Sequence, residues 1–361
     1  MPTGFGVIGC GVIARFHARA IADTAGARLI GCWDHKFANA QKFAAESNCA
    51  AYEGLDQLLA DPRISVVVVG TPSGAHAEPA VAAARTGKHV LVEKPLEITL
   101  KRCDAIIRAC ADNAVKLATI FPSRFHAVAR ELRRAVLAKR FGRITLADAY
   151  VKWFRSQEYY DSGRWRGTWE LDGGGALMNQ GIHSVDLLLW VMGDVASVTA
   201  QWGMLAHQRI AVEDTVVATL RFTNGSLGVI EAGTAVYPGF VKRIDICGSQ
   251  GTAVMEEESL RVWEFAKAHK EDAAIREKFA LQTSGGGASD PKAIGHHAHA
   301  LQFADFLAAI KRDRPPKAGG AEGRRAVEVI LAIYQAAESG KVVKLPLTTD
   351  PRLRARRGSV K

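Results

Sequence analysis

The stretch GFGVIGCGVIA, residues 4–14, decides the fold. It is a short apolar run followed by the pattern G-x-G-x-x-A, and helical spacing begins directly after it. In such a strand–turn–helix, Gly9 permits the tight turn, Gly11 lets the backbone approach a pyrophosphate, and Ala14 allows close packing of the helix on the strand. The stretch therefore predicts a dinucleotide-binding turn.

The residues around this turn predict which dinucleotide binds. The N–H groups of Val12 and Ile13 open the helix at the positive end of its dipole, where phosphate binds. Asp34 lies about 20 residues beyond the motif, where an acid binds the adenosine ribose hydroxyls. A carboxylate repels a 2′-phosphate, so Asp34 favours NAD over NADP, although His35 and Lys36 beside it weaken that preference.

The first third of the chain repeats the same alternation. Continuously apolar strands separated by helical segments are typical of a parallel sheet that is covered on both faces. We predict a doubly wound α/β Rossmann domain over residues 1–122. Its strands are GFGVIG, RLIGCW, SVVVVG, HVLVEK and VKLATIF.

After residue 122 long strands replace the alternation. Turn signals at 224–226 (NGS) and 248–251 (GSQG) join strands that alternate in polarity, which predicts antiparallel pairing. We expect an α+β domain over residues 123–347 with a large, open, mainly antiparallel sheet. A basic tail, 348–361, is expected to be flexible.

Composition excludes several classes of protein. The 361 residues are 48% hydrophobic and carry a net charge of +10, but much of that charge lies in the tail and no aromatics are interleaved with it. We therefore expect no nucleic-acid partner. The six cysteines include no CxxC pair, which predicts free thiols and a reducing, cytoplasmic compartment. We expect no signal peptide, because the first residues lead directly into a strand, and no membrane span, because no apolar run reaches about 18 residues.

No metal site is expected either. The run HHAH at 296–299 is the strongest candidate, but no acid or cysteine accompanies it, and it opens an amphipathic helix. A histidine of this run that reaches the substrate is the other interpretation.

Two further segments follow parallel strands, where ligands of open sheets bind. They are GTPSGAH at 70–76 and VEKP at 92–95. Lysine is rarely buried without a partner, so Lys94 is either a functional group or a surface residue at a strand end.

The segment GGGALMNQGIHSVD, residues 173–186, combines three glycines with a helix that carries polar groups. Because the first glycine motif already supplies the phosphate site, these glycines are expected to bring the backbone close to substrate. Asn179 and His183 are four residues apart and share one helical face. Asp186 either holds the helix or the histidine ring, or forms a structural ion pair.

The loop before these glycines, 154–172, is rich in aromatic residues and arginine. Aromatic faces stack on sugar rings, and arginine binds carboxylate or phosphate in two-point fashion. Arg164, Trp165 and Arg166 are candidate substrate ligands, and Arg124 is another. A subunit interface would use the same residue types.

Together, GCGVIA, Asp34, TPSGAH, EKP and the late glycine segment resemble the Gfo/Idh/MocA family of NAD(P)-dependent oxidoreductases. The resemblance implies that Lys94 and His183 face the substrate near the nicotinamide. It also implies sugar, inositol or UDP-sugar substrates and a homodimer or homotetramer formed through the C-terminal sheet. Many members have Asp where this chain has Asn179. The residues that the resemblance places along the cofactor are Thr71, Pro72, His76 and Glu93.

The expected activity is hydride transfer between a sugar hydroxyl carbon and NAD. Oxidation of an alcohol needs a base with a pKa near the working pH, and histidine starts in that range. We expect His183 to be the base and Lys94 to polarise the oxygen; the reverse assignment, with Lys94 as the base, is the alternative. Two alternatives stay open: an enzyme that cleaves glycosides through transient oxidation, and a non-catalytic dinucleotide sensor.

Overall fold

The computed structural model describes residues 2–281 and 295–353, and its contacts divide into two units. The first combines the chain up to Pro122 with Gly295–Val327. The second combines Ser123–Ile294 with the chain from Glu328 on. Most of the predicted basic tail, residues 354–361, lies outside the described residues.

The first unit contains a six-stranded parallel sheet in the order β3-β2-β1-β4-β5-β6. This order is that of a Rossmann fold, so the predicted fold class is confirmed. The strands are β1 (Thr3–Ile8), β2 (Ala27–Trp33), β3 (Ala50–Ala51), β4 (Val66–Val69), β5 (His89–Val92) and β6 (Leu117–Thr119). The helices between them are α1 (Val12–Ala22), α2 (Phe37–Ser47), α3 (Leu55–Ala60), α4 (Ala77–Arg85) and α5 (Leu100–Asp112).

The central strands are buried on both faces, which explains their unbroken apolar sequence. All four valines of β4 are fully buried, and β-branched side chains fit this pleated, covered position. Thr99 caps the N-terminus of α5, and its hydroxyl accepts the N–H of Arg102. Because β2, β1, β4 and β5 are consecutive parallel neighbours, their carboxyl ends lie along the same edge of this sheet.

The segment Gly295–Val327 belongs to the first unit, whereas the sequence pattern places it in the predicted second domain. Its helix α10 (His297–Lys311) places Phe303 in a stacked contact with Phe5 of β1, with ring centroids 5.9 Å apart. The Gln302 side chain also accepts the N–H of Phe121 and donates to the Thr119 carbonyl. Gly295–Val327 joins the first unit because these apolar and amide contacts complete the core of that unit.

The second unit is built on an eight-stranded sheet in the order β13-β12-β11-β7-β10-β9-β8-β14. All neighbouring pairs are antiparallel except β7 with β10, which are parallel. The strands are β7 (Ile144–Lys152), β8 (Val195–Gly203), β9 (Thr215–Phe222), β10 (Leu227–Gly233), β11 (Arg243–Gly248), β12 (Gly251–Glu256), β13 (Ser259–Phe265) and β14 (Val343–Lys344). The predicted mainly antiparallel sheet is thus confirmed.

The helices of the second unit include the one that carries the candidate site. A π-helical turn, Ala176–Gly181, runs directly into α8 (Ile182–Met192). The other helices are α6 (Ala127–Leu137), α7 (Gln157–Asp161) and α9 (Asp272–Lys278), and α11 (Gly320–Ser339) crosses the division between the units.

Candidate functional site

The first glycine loop has the geometry of a phosphate site. Gly9 has φ of +91°, and a Cβ there would lie 2.8 Å from the Gly70 carbonyl. A Cβ on Gly11, in contrast, would meet no atom within 4 Å, so the loop presents open space there. The first turn of α1 has neither a capping side chain nor an acid. Its N–H groups and the helix dipole therefore fit the pyrophosphate of a dinucleotide.

Asp34 joins the end of β2 to this loop. One carboxylate oxygen accepts the Cys10 N–H at 2.9 Å, and the other accepts the Lys36 N–H at 2.9 Å and the Asn39 amide at 3.1 Å. The His35 ring lies 3.2 Å from the same carboxylate. These bonds fix the acid at the edge where the ribose of a dinucleotide is expected. Binding of the ribose by Asp34 stays a prediction, as does contact of His35 with the cofactor.

His76 ties together the loops that follow β4 and β5. Its ring is buried, with Nδ1 2.9 Å from the Pro95 carbonyl oxygen and Nε2 3.0 Å from the Thr71 carbonyl oxygen. Burial lowers the pKa of His76, and a neutral ring donates a hydrogen bond to only one of the two carbonyls. Thr71 also donates its hydroxyl to the Ala75 carbonyl. The predicted TPSGAH and EKP segments are thus one connected structure.

His17 lies fully buried on α1 and was not singled out from the sequence. Its Nε2 is 3.0 Å from Oε1 of Glu93, and the other oxygen of Glu93 accepts the Lys94 N–H at 2.9 Å. The His299 ring of α10 packs edge-on to His17, 5.9 Å between centroids. Burial alone would raise the pKa of Glu93, but the hydrogen bond and charge of His17 hold it well below its usual range. The sequence carried one signal for this contact: His17 lies among the apolar positions of α1.

The second glycine cluster needs its glycines for close approach. A Cβ on Gly174 would overlap the Tyr334 hydroxyl, and one on Gly175 would overlap the Glu213 carbonyl. Gly173 has φ of +80°. The backbone at these glycines is therefore packed against Tyr334 and Glu213 of the protein itself, and this close packing fixes where the π-helical turn begins.

Only three side chains between Asp172 and Leu189 are even partly exposed: Asn179, Gln180 and His183. Every other residue of this stretch is buried. The Asn179 amide donates to Oδ1 of Asp172 at 2.5 Å, so a buried carboxylate stands beside the amide that replaces the family's acid. Asp172 was not singled out from the sequence, although it directly precedes the glycines.

Arg124 and Asp186 face each other in a buried two-point ion pair. Nε of Arg124 lies 2.8 Å from Oδ2 of Asp186, and Nη2 lies 2.6 Å from Oδ1. Arg124 also stacks over the Trp190 ring, 5.7 Å from its centroid. The structure thus gives Asp186 the ion pair that was one of its two expected roles. Contact of Arg124 with substrate stays a prediction.

The aromatic loop holds one arginine between two rings. The Arg166 guanidinium lies 4.3 Å from the Tyr159 ring centroid and 4.7 Å from that of Trp165, and it donates to the Tyr159 hydroxyl at 2.7 Å. Gln180 donates to the same hydroxyl at 3.0 Å. This bond joins the aromatic loop to the site helix, by which we mean the π-helical turn Ala176–Gly181 together with α8 (Ile182–Met192). Arg164 is exposed. No carboxylate lies within 4.0 Å of Arg166 in the described parts of the chain.

The HHAH run is engaged with the protein itself. His296 lies 2.7 Å from a carboxylate oxygen of Asp23, and His299 is buried against His17. Within residues 2–281 and 295–353 no three His, Cys, Asp or Glu side chains are grouped to hold a metal ion. Over the same residues, none of the helices has the length and hydropathy needed to cross a bilayer.

Family models match both units. The model of the oxidoreductase family with an NAD-binding Rossmann fold matches residues 3–121, and that of the GFO/IDH/MocA C-terminal domain matches residues 129–254. Myo-inositol 2-dehydrogenase of Thermotoga maritima is 26% identical over 359 residues, covering 94% of this chain and 98% of that protein. 2,7-Anhydro-N-acetylneuraminate hydratase of Mediterraneibacter gnavus is 27% identical over 265 residues, 69% of each chain.

Among solved structures, the WlbA dehydrogenase of Bordetella pertussis in complex with NADH and UDP-GlcNAcA is similar over nearly the whole chain. It is 34% identical, with a TM-score of 0.87, and the match covers 96% of this chain and 98% of WlbA. The predicted family, enzyme class and NAD cofactor are confirmed by these matches. The chain belongs to the GFO/IDH/MocA family and is an NAD-dependent oxidoreductase.

Proposed function

We propose that the protein transfers hydride between NAD and a carbon that bears a hydroxyl group on a sugar or a sugar derivative. One observation carries the proposal: Asn179, Gln180 and His183 are the partly exposed positions in an otherwise buried stretch. An amide pair and an imidazole on one helix suit the hydroxyl groups of a sugar ring, because they donate and accept hydrogen bonds.

The proposed chemistry is general base catalysis. NAD, when bound, accepts the hydride that leaves the substrate carbon. His183 takes the hydroxyl proton on a ring nitrogen, and the Lys94 ammonium donates a hydrogen bond to the same oxygen as negative charge develops there. Asn179, held by Asp172, orients a neighbouring hydroxyl group of the substrate.

The test replaces Lys94 and His183 by alanine, each alone, in protein that folds and binds NAD. We expect each variant to lose NADH formation by about 100-fold or more. His126→Ala is the matched control, because this histidine of the second unit pairs with Glu258 and has no proposed role in the reaction. The assignment is overturned when both variants stay within a few-fold of wild type.

We further propose that the substrate carries a carboxylate, as in a hexuronic acid linked to UDP. The WlbA structure, at 34% identity, contains UDP-GlcNAcA. Arg166 supports the same class, since it is a half-buried cation stacked between rings with no carboxylate within 4.0 Å among the described residues. A screen of hexoses, inositols, glycosides, UDP-sugars and uronates with NAD, read as NADH, tests the substrate class. No turnover on any of them contradicts it.

A second candidate is a redox-neutral reaction that starts with the same hydride transfer. The similarity to a 2,7-anhydro-N-acetylneuraminate hydratase favours it. In such a reaction, transient oxidation of the sugar is followed by elimination of the glycosidic or ether oxygen, which leaves with a proton, by addition of water to the resulting double bond, and by return of the hydride. The two candidates differ in one measurement, because a dehydrogenase releases NADH in step with product and the second enzyme forms product without net NADH.

We also propose a cytoplasmic homo-oligomer that associates through the sheet of the second unit. Leu146 of β7 and Leu227 of β10 are exposed register partners, and Val217 on the neighbouring strand β9 is exposed as well. Exposed apolar residues on three neighbouring strands of an open sheet suit contact with a second copy. Light scattering of wild type and of Leu227→Glu tests this, and a monomeric wild type contradicts it.

A further inference from the structure

Two consecutive acids, Glu213 and Asp214, precede β9 and are fully buried. Among the residues that the structure describes, no lysine or arginine lies within 4.0 Å of either carboxylate. Burying a carboxylate without a cation is costly unless it accepts several hydrogen bonds. The partners of these two side chains therefore show what they do.

Glu213 binds the start of the site helix. One carboxylate oxygen accepts the Gly175 N–H at 2.8 Å, and the other accepts the Leu177 N–H at 2.9 Å and the Tyr334 hydroxyl at 2.9 Å. The Glu213 carbonyl accepts the N–H between them, that of Ala176, at 3.0 Å. One residue thus satisfies three successive N–H groups that a helix start leaves without internal partners.

Asp214 binds a different loop. Its carboxylate accepts the N–H groups of Leu205, Ala206 and His207, each at 2.9 Å, and the His207 ring lies 3.2 Å away. The other ring nitrogen of His207 lies 2.8 Å from the Arg155 carbonyl oxygen, at the start of the aromatic loop. These hydrogen bonds hold the pKa of Asp214 well below its usual range despite burial, so it stays ionised.

We infer that Glu213 and Asp214 are positioning residues that set the substrate surface from one strand end. Glu213 fixes the π-helical turn that leads to Asn179, Gln180 and His183. Asp214 acts through His207 on the aromatic loop, which carries Tyr159 and Arg166. The inference rests on the proposed function, because Asn179, Gln180, His183 and Arg166 are among its proposed substrate contacts.

An amide cannot replace Glu213 without moving the helix start. Glutamine has a single acceptor oxygen, and its NH2 group would face the N–H of Gly175 or of Leu177, which are both donors. Because Gly175 is in close contact with the Glu213 carbonyl, the helix start cannot shift toward the strand to compensate. The displacement should pass along the turn to His183.

The two acids should therefore differ in their kinetic effects. Glu213→Gln is expected to lower kcat by at least tenfold with little change in the KM for NAD, because His183 acts in the chemical step. Asp214→Asn is expected to raise the KM for the sugar substrate more than it lowers kcat, because it loosens the loop of Arg166. Tyr334→Phe, which removes one donor only, should shift kcat in the direction of Glu213→Gln and by less.

Asp272→Asn is the matched control. Asp272 is a buried acid of the same unit, and its carboxylate bonds to Arg140, Trp263 and His269, all of them outside the site helix and the aromatic loop. Its loss should cost stability and leave kcat and KM within twofold. Equal kinetic losses in Asp272→Asn and Glu213→Gln would show a general stability effect and overturn the inference, as would wild-type kinetics in both Glu213→Gln and Tyr334→Phe.

Hydrogen–deuterium exchange separates this inference from the proposed function. In Glu213→Gln, or in Tyr334→Phe if the first variant does not fold, the amides of residues 175–181 should exchange at least tenfold faster than in wild type and in Asp272→Asn. Unchanged exchange overturns the inference. Faster exchange, together with wild-type protein that oxidises no sugar, supports the positioning role and contradicts the proposed function alone.

Discussion

Arg124 and Asp186 form a two-point ion pair whose side chains are almost completely buried. Asp186 lies one turn beyond His183 on α8, and Arg124 lies in the short helical turn Pro122–Phe125. The pair therefore fixes α8 against the beginning of the second unit. We propose that Arg124 positions the site helix; its contact with substrate stays a prediction.

Removing one member of this pair should be strongly destabilising. Arg124→Met leaves an uncompensated carboxylate in the core, and we expect the free energy of unfolding to fall by about 3–5 kcal/mol. Arg124→Met combined with Asp186→Leu should recover a large part of that loss, since no charge is then buried alone. Urea unfolding of the three proteins measures it. A double variant less stable than Arg124→Met would contradict the burial argument.

Glu213 should make stability depend on pH in a defined direction. Burial raises its pKa from 4.5 to about 7, so between these values the folded protein keeps a proton that the unfolded chain has lost. Its contribution to stability is fully present below pH 4.5 and is lost as pH rises through about 7. As pH rises from 4.5 to about 7, wild type should therefore lose stability relative to Glu213→Gln, which has no proton to lose at this position. Below and above this range the difference in unfolding free energy between the two proteins should stay constant. Parallel curves from urea titrations at each pH would contradict this.

The two glycines of the first motif should respond in opposite ways to alanine. Gly9→Ala combines a positive φ with a clash against Gly70, and we expect a loss of about 1–3 kcal/mol in stability. Gly11 has φ of −74° and open space around it, so Gly11→Ala should fold normally. Its methyl group should instead weaken NAD binding, by about tenfold, where the backbone approaches the pyrophosphate. Calorimetry gives the NAD affinity, and unchanged affinity in Gly11→Ala would contradict the placement of the phosphates.

Arg166 should discriminate an acidic sugar from its neutral analogue. Arg166→Gln removes the charge, and we expect the KM for UDP-glucuronate to rise by about 10- to 100-fold, as for a lost hydrogen bond to a charged group, with UDP-glucose little affected. Arg261→Gln, an exposed arginine of β13 with no proposed role in substrate binding, is the matched control and should change neither value appreciably. Equal effects on the two substrates in Arg166→Gln would place the carboxylate elsewhere.

Local signals in the sequence were sufficient to predict the parallel sheet of the first unit. The glycine motif and Asp34 act through their immediate neighbours, and unbroken apolar strands such as β4 reflect burial on both faces. The return of Gly295–Val327 was not predictable in this way, because Phe303 packs on Phe5 at the other end of the chain. Pairing between such distant residues leaves no periodic pattern in either segment.

The sequence likewise predicted only part of the candidate site. Asn179 and His183 were visible as polar residues on an apolar helix, but the π-helical turn before α8 depends on hydrogen bonds that Glu213 makes from another segment. In the sequence, Glu213 is indistinguishable from an ordinary acidic residue that precedes a strand. Its importance follows from burial, which a single sequence does not show.

The three partly exposed side chains between Asp172 and Leu189 have a consequence for redesign. Every residue of this stretch other than Asn179, Gln180 and His183 is packed into the protein. Exchanging the first two alters what the helix offers to a ligand while the packed residues keep its path. Changes at positions 179 and 180 that keep a hydrogen-bond donor for Asp172 and for the Tyr159 hydroxyl can therefore vary the substrate range with little loss of folding, whereas substitutions at the buried positions 178 and 181 would damage the core.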